Sequence, residues 1–226
     1  MDKIDTKNLY NYFSKGNILF LGCHLDDIEY GCGGLIARLT AIGLKDNIFY
    51  CTLSNFNKSS EGKVTIKRDL DEAYRAIEKL GIKNENVIIK DIPAQLFQSY
   101  AQNIREILLE LRDSIIPNYV FFPSQNDIHQ DHKTLHDEGI RVFRNVNCLG
   151  YEIIRSCYHF LPNTYIEIDM DDLAKKIDAI KEYKSQISQT AGYYFDEELI
   201  KSICIFRGGQ SGKKLAEAYE LYFSHL

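Results

Sequence analysis

The sequence predicts an α/β fold built on a mainly parallel sheet with right-handed crossovers. Continuous apolar runs at residues 18–21, 48–53, 87–92 and 119–122 are rich in β-branched, aromatic and leucine side chains. Such continuity marks strands buried on both faces, where a half-solvated strand would alternate. Segments of helical period separate the runs, and strand alternating with helix in one sheet gives parallel pairs.

The elements follow in order. The first strand, 18–21, runs into a polar, glycine-rich segment and then a helix. The second strand, 48–53, precedes a helix whose Leu70, Ala73, Tyr74, Ile77 and Leu80 recur at helical spacing before Gly81. The third strand, 87–92, leads to a helix carrying Ile104, Ile107, Leu108, Leu111 and Ile115 before Pro117. Both helices have an apolar stripe and a stop signal. The fourth strand, 119–122, is followed by a second polar segment and a helix. Beyond residue 150 the pattern loosens: a strand is expected at 165–168, a helix face at Leu173, Ile177 and Ile180, and a helix at 196–206. The tail, 207–226, has three glycines within six residues and takes no assignment. With no repeat, linker or low-complexity tract, the chain reads as one domain, 1–226.

At 226 residues, 45% apolar and 26% charged, the chain matches a globular protein large enough for a sizeable core without staples. A net charge of −5 with no basic patch argues against a nucleic-acid partner. The six cysteines form no CxxC pair and read as reduced, buried thiols. The N-terminal 16 residues mix acids with lysines and lack an apolar core, so no signal peptide is expected. No run reaches the roughly 20 apolar residues of a membrane span. A cytoplasmic location follows as an expectation.

Ligands of an open parallel sheet bind beyond the carboxyl ends of its strands. Two polar clusters fall there: His24-Leu25-Asp26-Asp27-Ile28-Glu29 after the first strand, and Asp127-Ile128-His129-Gln130-Asp131-His132 after the fourth. If those strands are neighbours, the clusters share one crevice. Two imidazoles and a carboxylate suit zinc or ferrous iron better than magnesium or calcium. Adjacent aspartates leaving a strand point in different directions, so one can bind an ion while the other takes a proton from water. An extra histidine opposite could steady an oxyanion. Alone, an Asp-Asp pair is usually a turn or cap, and Asp131 could simply cap a helix. Gly31, Gly33 and Gly34 could serve a tight turn or, less readily among so many acids, a phosphate.

The run His24-Leu25-Asp26-Asp27-Ile28-Glu29-Tyr30-Gly31-Cys32-Gly33-Gly34 resembles the first motif, HPDDxxxGxGG, of the PIG-L/LmbE-like deacetylases. His129-Gln130-Asp131-His132 resembles their second motif, HxDH. Phe160-Leu161-Pro162-Asn163, Tyr183-Lys184-Ser185-Gln186 and Arg207-Gly208-Gly209-Gln210-Ser211-Gly212, with Ala216-Glu217-Ala218-Tyr219, are similar to the family's C-terminal half, so the likeness spans about 17–222. The resemblance implies a Rossmann-like three-layer sandwich and hydrolysis of the N-acetyl group of an N-acetylglucosamine-type sugar. It implies His24, Asp27 and His132 as ligands of Zn2+ (or Fe2+) and Asp26 as general base. His129 would be the oxyanion group and Asp131 the carboxylate that orients it. Relatives of this kind often form trimers or hexamers. Leu25 stands where the family commonly has proline, which would stiffen the turn.

Arg68 resembles a family arginine that faces the substrate, where it would suit an anionic group; a solvated helix-end charge is the plainer alternative. Asp127 and His136 are expected in supporting or packing roles, Arg207 as a tie for the tail, and Tyr193, Tyr194 and Phe195 mainly as core. Two other functions compete with a sugar deacetylase: hydrolysis of another acylated amine in natural-product biosynthesis, and an α/β module that holds a nucleotide at the 31–34 turn.

Overall fold

The computed structural model describes residues 6–58, 65–189 and 192–225; residues 1–5 of the N-terminal segment considered above lie outside these. The chain runs α1 (Thr6–Phe13), β1 (Asn17–Gly22), α2 (Asp27–Ala41), β2 (Ile48–Thr52), β3 (Phe56–Lys58), β4 (Thr65–Lys67), α3 (Leu70–Lys79) and β5 (Val87–Ile89). It continues α4 (Ala101–Ile115), β6 (Pro117–Pro123), α5 (Gln130–Val142), β7 (Asn147–Tyr151), β8 (Thr164–Glu167), α6 (Met170–Lys181), α7 (Lys184–Gln189), α8 (Glu197–Ser211) and β9 (Ala216–Phe223).

Seven strands form one sheet in the order β5-β2-β1-β6-β7-β9-β8. The pairs from β5 to β7 are parallel, and β9 runs antiparallel to both β7 and β8. Strand β1 shows why the predicted runs are continuously apolar. Ile18 and Phe20 face a core shared with α2, α3 and α6, while Leu19 and Leu21 face one shared with α4 and α5. Tyr119 and Phe121 of β6 join the first core, and Val120 and Phe122 the second. Every position is therefore buried, and the result is a Rossmann-like three-layer sandwich. From β1 the chain moves outward to β2 and β5, then returns to β6 on the other flank. The carboxyl ends of β1 and β6 thus flank a topological switch point, the usual crevice for a ligand.

Several expectations need correction. The third strand stops at Ile89, and residues after it form turns and a short 3-10 helix at Phe97–Tyr100. Tyr74 of the expected α3 stripe is exposed. Elements α1, β7 and β9 had no sequence assignment. Helix α8 runs through Arg207, Gly208 and Gly209 to Ser211 and is capped by Gly212 at φ 72°. The tail then returns as β9, between β7 and β8. Among the described residues no helix is long and apolar enough to cross a membrane, and all six cysteines are free and buried.

Candidate metal centre and active site

Strands β1 and β6 pair in parallel, so the two polar clusters do meet. The turn after β1 carries Asp26 in the left-handed region, φ 107° and ψ −26°, a conformation that costs a non-glycine residue about 1–3 kcal/mol. That twist sends the two neighbouring carboxylates apart. Asp27, the first residue of α2, folds back so that its Oδ2 accepts from the backbone N–H of Cys23 and His24 at 2.9 and 2.8 Å. The same oxygen lies 3.5 Å from His24 Nδ1 and 3.4 Å from His132 Nε2.

Each imidazole is oriented from behind. His24 Nε2 bonds Asp131 Oδ2 at 2.9 Å, and His132 Nδ1 bonds Asp127 Oδ2 at 2.8 Å. With those nitrogens as donors, Nδ1 of His24 and Nε2 of His132 present lone pairs towards Asp27, the arrangement that outer carboxylates impose on metal-binding histidines. His132 Nε2 is fully buried and makes no hydrogen bond, a costly state for a polar atom unless something else satisfies it. Ligands of a tetrahedral ion with bonds of roughly 2.1 Å stand about 3.4 Å apart. The two Asp27-to-imidazole spacings, the orphaned nitrogen and the two-imidazole, one-carboxylate donor set fit zinc or ferrous iron.

Protons fill the cation's electrostatic place in the free chain. Burial would lower the pKa of both histidines, but Asp27 and hydrogen bonds with neighbouring aspartates hold His24 up at about 9 and His132 at about 10. Asp27 is itself buried, yet His132 and His24 draw it well below the usual carboxylate range. Asp26 moves the other way: burial raises it, against the pull of Arg68. His129 is held down to about 4 by burial, then by His132 and His24. It is therefore neutral near pH 7. Its Nδ1 accepts from the N–H of Asp131 at 3.2 Å, which leaves the proton on Nε2 as a donor.

Asp131 departs from the sequence expectation. Helix α5 is capped by His129. The Asp131 carboxylate accepts from His24 and from the N–H groups of Gln95 at 2.6 Å and Phe97 at 3.3 Å. It orients His24, and it is the backbone of Asp131 that orients His129. Arg68 is not a solvated charge either. Its side chain is 3% exposed, Nη2 pairs with Asp26 Oδ2 at 3.0 Å, and Nη1 donates to Leu25 O. Asp127 also accepts from His129 N and Ser156 Oγ, and His136 bonds Pro123 O, away from the centre. Arg207 forks onto Glu152 at 3.0 and 2.6 Å, tying α8 to the loop after β7. Tyr194 and Phe195 are buried, whereas Tyr193 is exposed. Sequence reasoning passed over Cys23, whose sulfur lies within 4.8 Å of ligand atoms of Asp27 and His132. Its only signal was adjacency to His24.

The glycines of the first motif hold no open phosphate cradle. The N–H groups of Gly34 and Leu35 donate to Glu217 at 2.9 and 2.7 Å. A Cβ on Gly31 would stand 2.3 Å from the Tyr151 ring. These glycines let β9 and β7 press against α2, so the nucleotide reading loses its site.

Comparison with known proteins agrees. The family described as PIG-L, GlcNAc-PI de-N-acetylase, matches residues 19–143. The uncharacterized deacetylase YaiS of Escherichia coli (strain K12) is 28% identical over 196 residues, 82% of this chain and 100% of YaiS. The N,N'-diacetylchitobiose deacetylase of Pyrococcus horikoshii superposes with a TM-score of 0.73 at 18% identity, covering 96% of this chain and 87% of its own. GalB, the 4-carboxy-2-hydroxymuconate hydratase of Pseudomonas putida KT2440, superposes at 0.70 with 19% identity, over 93% and 98%. At such identities these two structures show the fold alone.

Proposed function

Because this chain belongs to the PIG-L family of de-N-acetylases, we propose that it hydrolyses the N-acetyl group of an N-acetylglucosamine-type sugar, free or conjugated, to acetate and a free amine. One observation carries the reading: His24 Nδ1 and His132 Nε2 both turn on one oxygen of Asp27, at 3.5 and 3.4 Å, beside a second carboxylate that is not committed to them. His24, Asp27 and His132 would hold a single divalent ion, zinc or ferrous iron. When bound, such an ion acidifies water and polarises the amide carbonyl.

The chain's own groups divide the remaining work. Asp26, made more basic by burial, takes the proton of the attacking water. His129 donates from Nε2 to the carbonyl oxygen as it gains charge. The carbon–oxygen bond forms first, with the electron pair moving onto the carbonyl oxygen; the carbon–nitrogen bond then breaks as that pair returns, and the amine leaves with the proton that water gave up, assisted by His129. Asp131 and Asp127 keep His24 and His132 in their ligating tautomers. Six buried, unpaired thiols suit a reducing cytoplasm.

The test is acetate release from a panel of N-acetylglucosamine derivatives and other acylated amines, with zinc or ferrous iron restored to metal-stripped protein. Asp26→Asn is expected to keep its metal and lose about 10²–10⁴-fold in turnover. Acetate from none of the amino sugars would sink the proposal, and release only from another acylated amine would move it to that class.

A further inference from the structure

Arg68 spends its guanidinium on the turn that carries the base. One terminal nitrogen donates to the backbone oxygen of Leu25 and the other pairs with the carboxylate of Asp26 at 3.0 Å. A single planar group thus spans the backbone on one side of Asp26 and the side chain on the other. Asp26 is one of three non-glycine residues with positive φ among those described, and the residue before it is leucine, which does not stiffen a turn as proline does.

The guanidinium is in turn seated on a side chain more than a hundred positions away. Its central carbon stands 5.3 Å from the ring centroid of Tyr183, within the range of a cation–π contact. Tyr183 is fully buried, and its hydroxyl donates to Glu29 Oε1 at 2.7 Å. Arg68 lies just before α3, and the segment after Tyr183 is tied to that helix. The N–H of Arg68, two residues before the helix, donates to Asn55 O at 2.7 Å. Ser185, two residues after Tyr183, bonds Glu72 of that helix through its N–H and hydroxyl at 2.9 and 2.6 Å.

We propose that Arg68 and Tyr183 are positioning residues: the Tyr183 ring seats the guanidinium, and the guanidinium holds the Asp26 turn in the left-handed form that aims its carboxylate. The proposal rests on Asp26 acting as the base. It replaces the anion-receptor role that the sequence offered Arg68, since both terminal nitrogens are already engaged inside the chain.

The experiment compares Arg68→Lys, Tyr183→Leu and Tyr183→Phe on two substrates, neutral N-acetylglucosamine and its 6-phosphate. A base displaced by about 1 Å costs about 100-fold, so Arg68→Lys and Tyr183→Leu should lose up to that factor in kcat. The loss should be equal on both substrates, with KM little changed. Tyr183→Phe keeps the ring under the guanidinium and should restore most of the rate. Zinc affinity should be the same in all, because neither residue is a ligand. A crystal structure of each metal-free variant reads the turn directly: φ at Asp26 should leave the positive region in Arg68→Lys and Tyr183→Leu and stay there in Tyr183→Phe. If Tyr183→Leu does not fold, Arg68→Lys decides alone. A loss confined to KM on the phosphate ester would make Arg68 a receptor and overturn the proposal, as would an unchanged turn with unchanged kcat. If the wild type releases no acetate from either sugar, the φ measurement still judges the clamp separately from the reaction.

Discussion

The half of the chain up to α5 and the half beyond it both bury charged groups, but they leave them in opposite states. At the carboxyl ends of β1 and β6 the polar groups point at a common centre, and one of them stays without a hydrogen-bond partner. His132 Nε2 is buried without a hydrogen bond, and three aspartates crowd two histidines that the free chain keeps protonated. In the later half every prominent buried charge is matched inside the chain. Glu217 receives Lys176 Nζ at 2.5 Å, Tyr219 Oη at 2.8 Å and two backbone N–H groups of α2. Glu220 takes Ser124 Oγ at 2.7 Å, and Arg207 takes Glu152. An unsatisfied cluster reaches for something outside the chain; a satisfied one holds elements together. Burial alone does not tell the two apart, whereas the hydrogen-bond account does.

The largest effect should come from breaking the unsatisfied cluster. Loss of a residue that merely supports a ligand typically weakens metal affinity 10–100-fold, and loss of a ligand costs more. His132→Ala is therefore expected to bind zinc at least ~100-fold more weakly and to show no measurable turnover, and its thermal midpoint should fall below that of the metal-free wild type, because the change strands the buried carboxylates of Asp27 and Asp127. Metal analysis after dialysis, beside a melting curve, checks both halves of that statement. A variant with full metal content would show that the ion, if any, sits elsewhere.

Glu217→Gln is expected to cost stability alone. That change strands a buried ammonium and weakens the acceptor for the N–H groups of Gly34 and Leu35. Removing one partner of a buried pair costs about 3–5 kcal/mol, or a drop of roughly 10 °C or more in a domain of this size. Turnover per folded molecule should not change, because Glu217 meets α2 well past the ligand turn. Urea unfolding and an assay at low temperature separate the two quantities. A lost rate at unchanged stability would erase the distinction between the halves.

How much of this was legible in the sequence follows the same division. Strands β1, β2 and β6 could be read because burial on both faces leaves an unbroken apolar run, and the reactive side chains stand directly beyond two of those runs. The pairing of β1 with β6 was a condition that only coordinates could meet. The resemblance implied Asp131 as the carboxylate that orients His129; in space that carboxylate turns to His24, 107 positions away. Arg68 was legible as important, but its partners Leu25, Asp26 and Tyr183 depend on how β4 and α6 are carried over the site. The tail took no assignment for a physical reason. Glycines at 208 and 209 give no helical signal, yet both lie within α8, and position 208 needs glycine because a Cβ there would stand 2.6 Å from the carbonyl oxygen of Lys214. The following strand, enclosed between β7 and β8, buries 216–220 without alternation. Nothing local separates that from a short core segment.

Glu29 sits where the two halves touch, and it offers the smallest and most specific test. It belongs to α2 by sequence, is fully buried, and accepts from Tyr183 Oη at 2.7 Å and Tyr50 Oη at 3.2 Å. Burial pushes its pKa from the usual 4.5 up to about 7, against the pull of the Tyr183 hydroxyl. In the folded chain the carboxyl therefore keeps its proton over a range where the unfolded chain has released it. Stability linked to this group is complete below about pH 4.5 and is lost as the pH climbs through about 7, because the folded state binds the extra proton. A shift of that size corresponds to roughly 3 kcal/mol across the window. Glu29→Gln has no proton to lose, so its unfolding free energy should fall less steeply with pH than that of the wild type. The two curves should converge or cross as the pH drops towards 4.5. Urea titrations of both metal-free proteins at half-unit intervals give the comparison. Parallel curves would mean that Glu29 is ionised in the folded chain throughout, with Tyr50 and Tyr183 holding a buried anion at the seam between the halves.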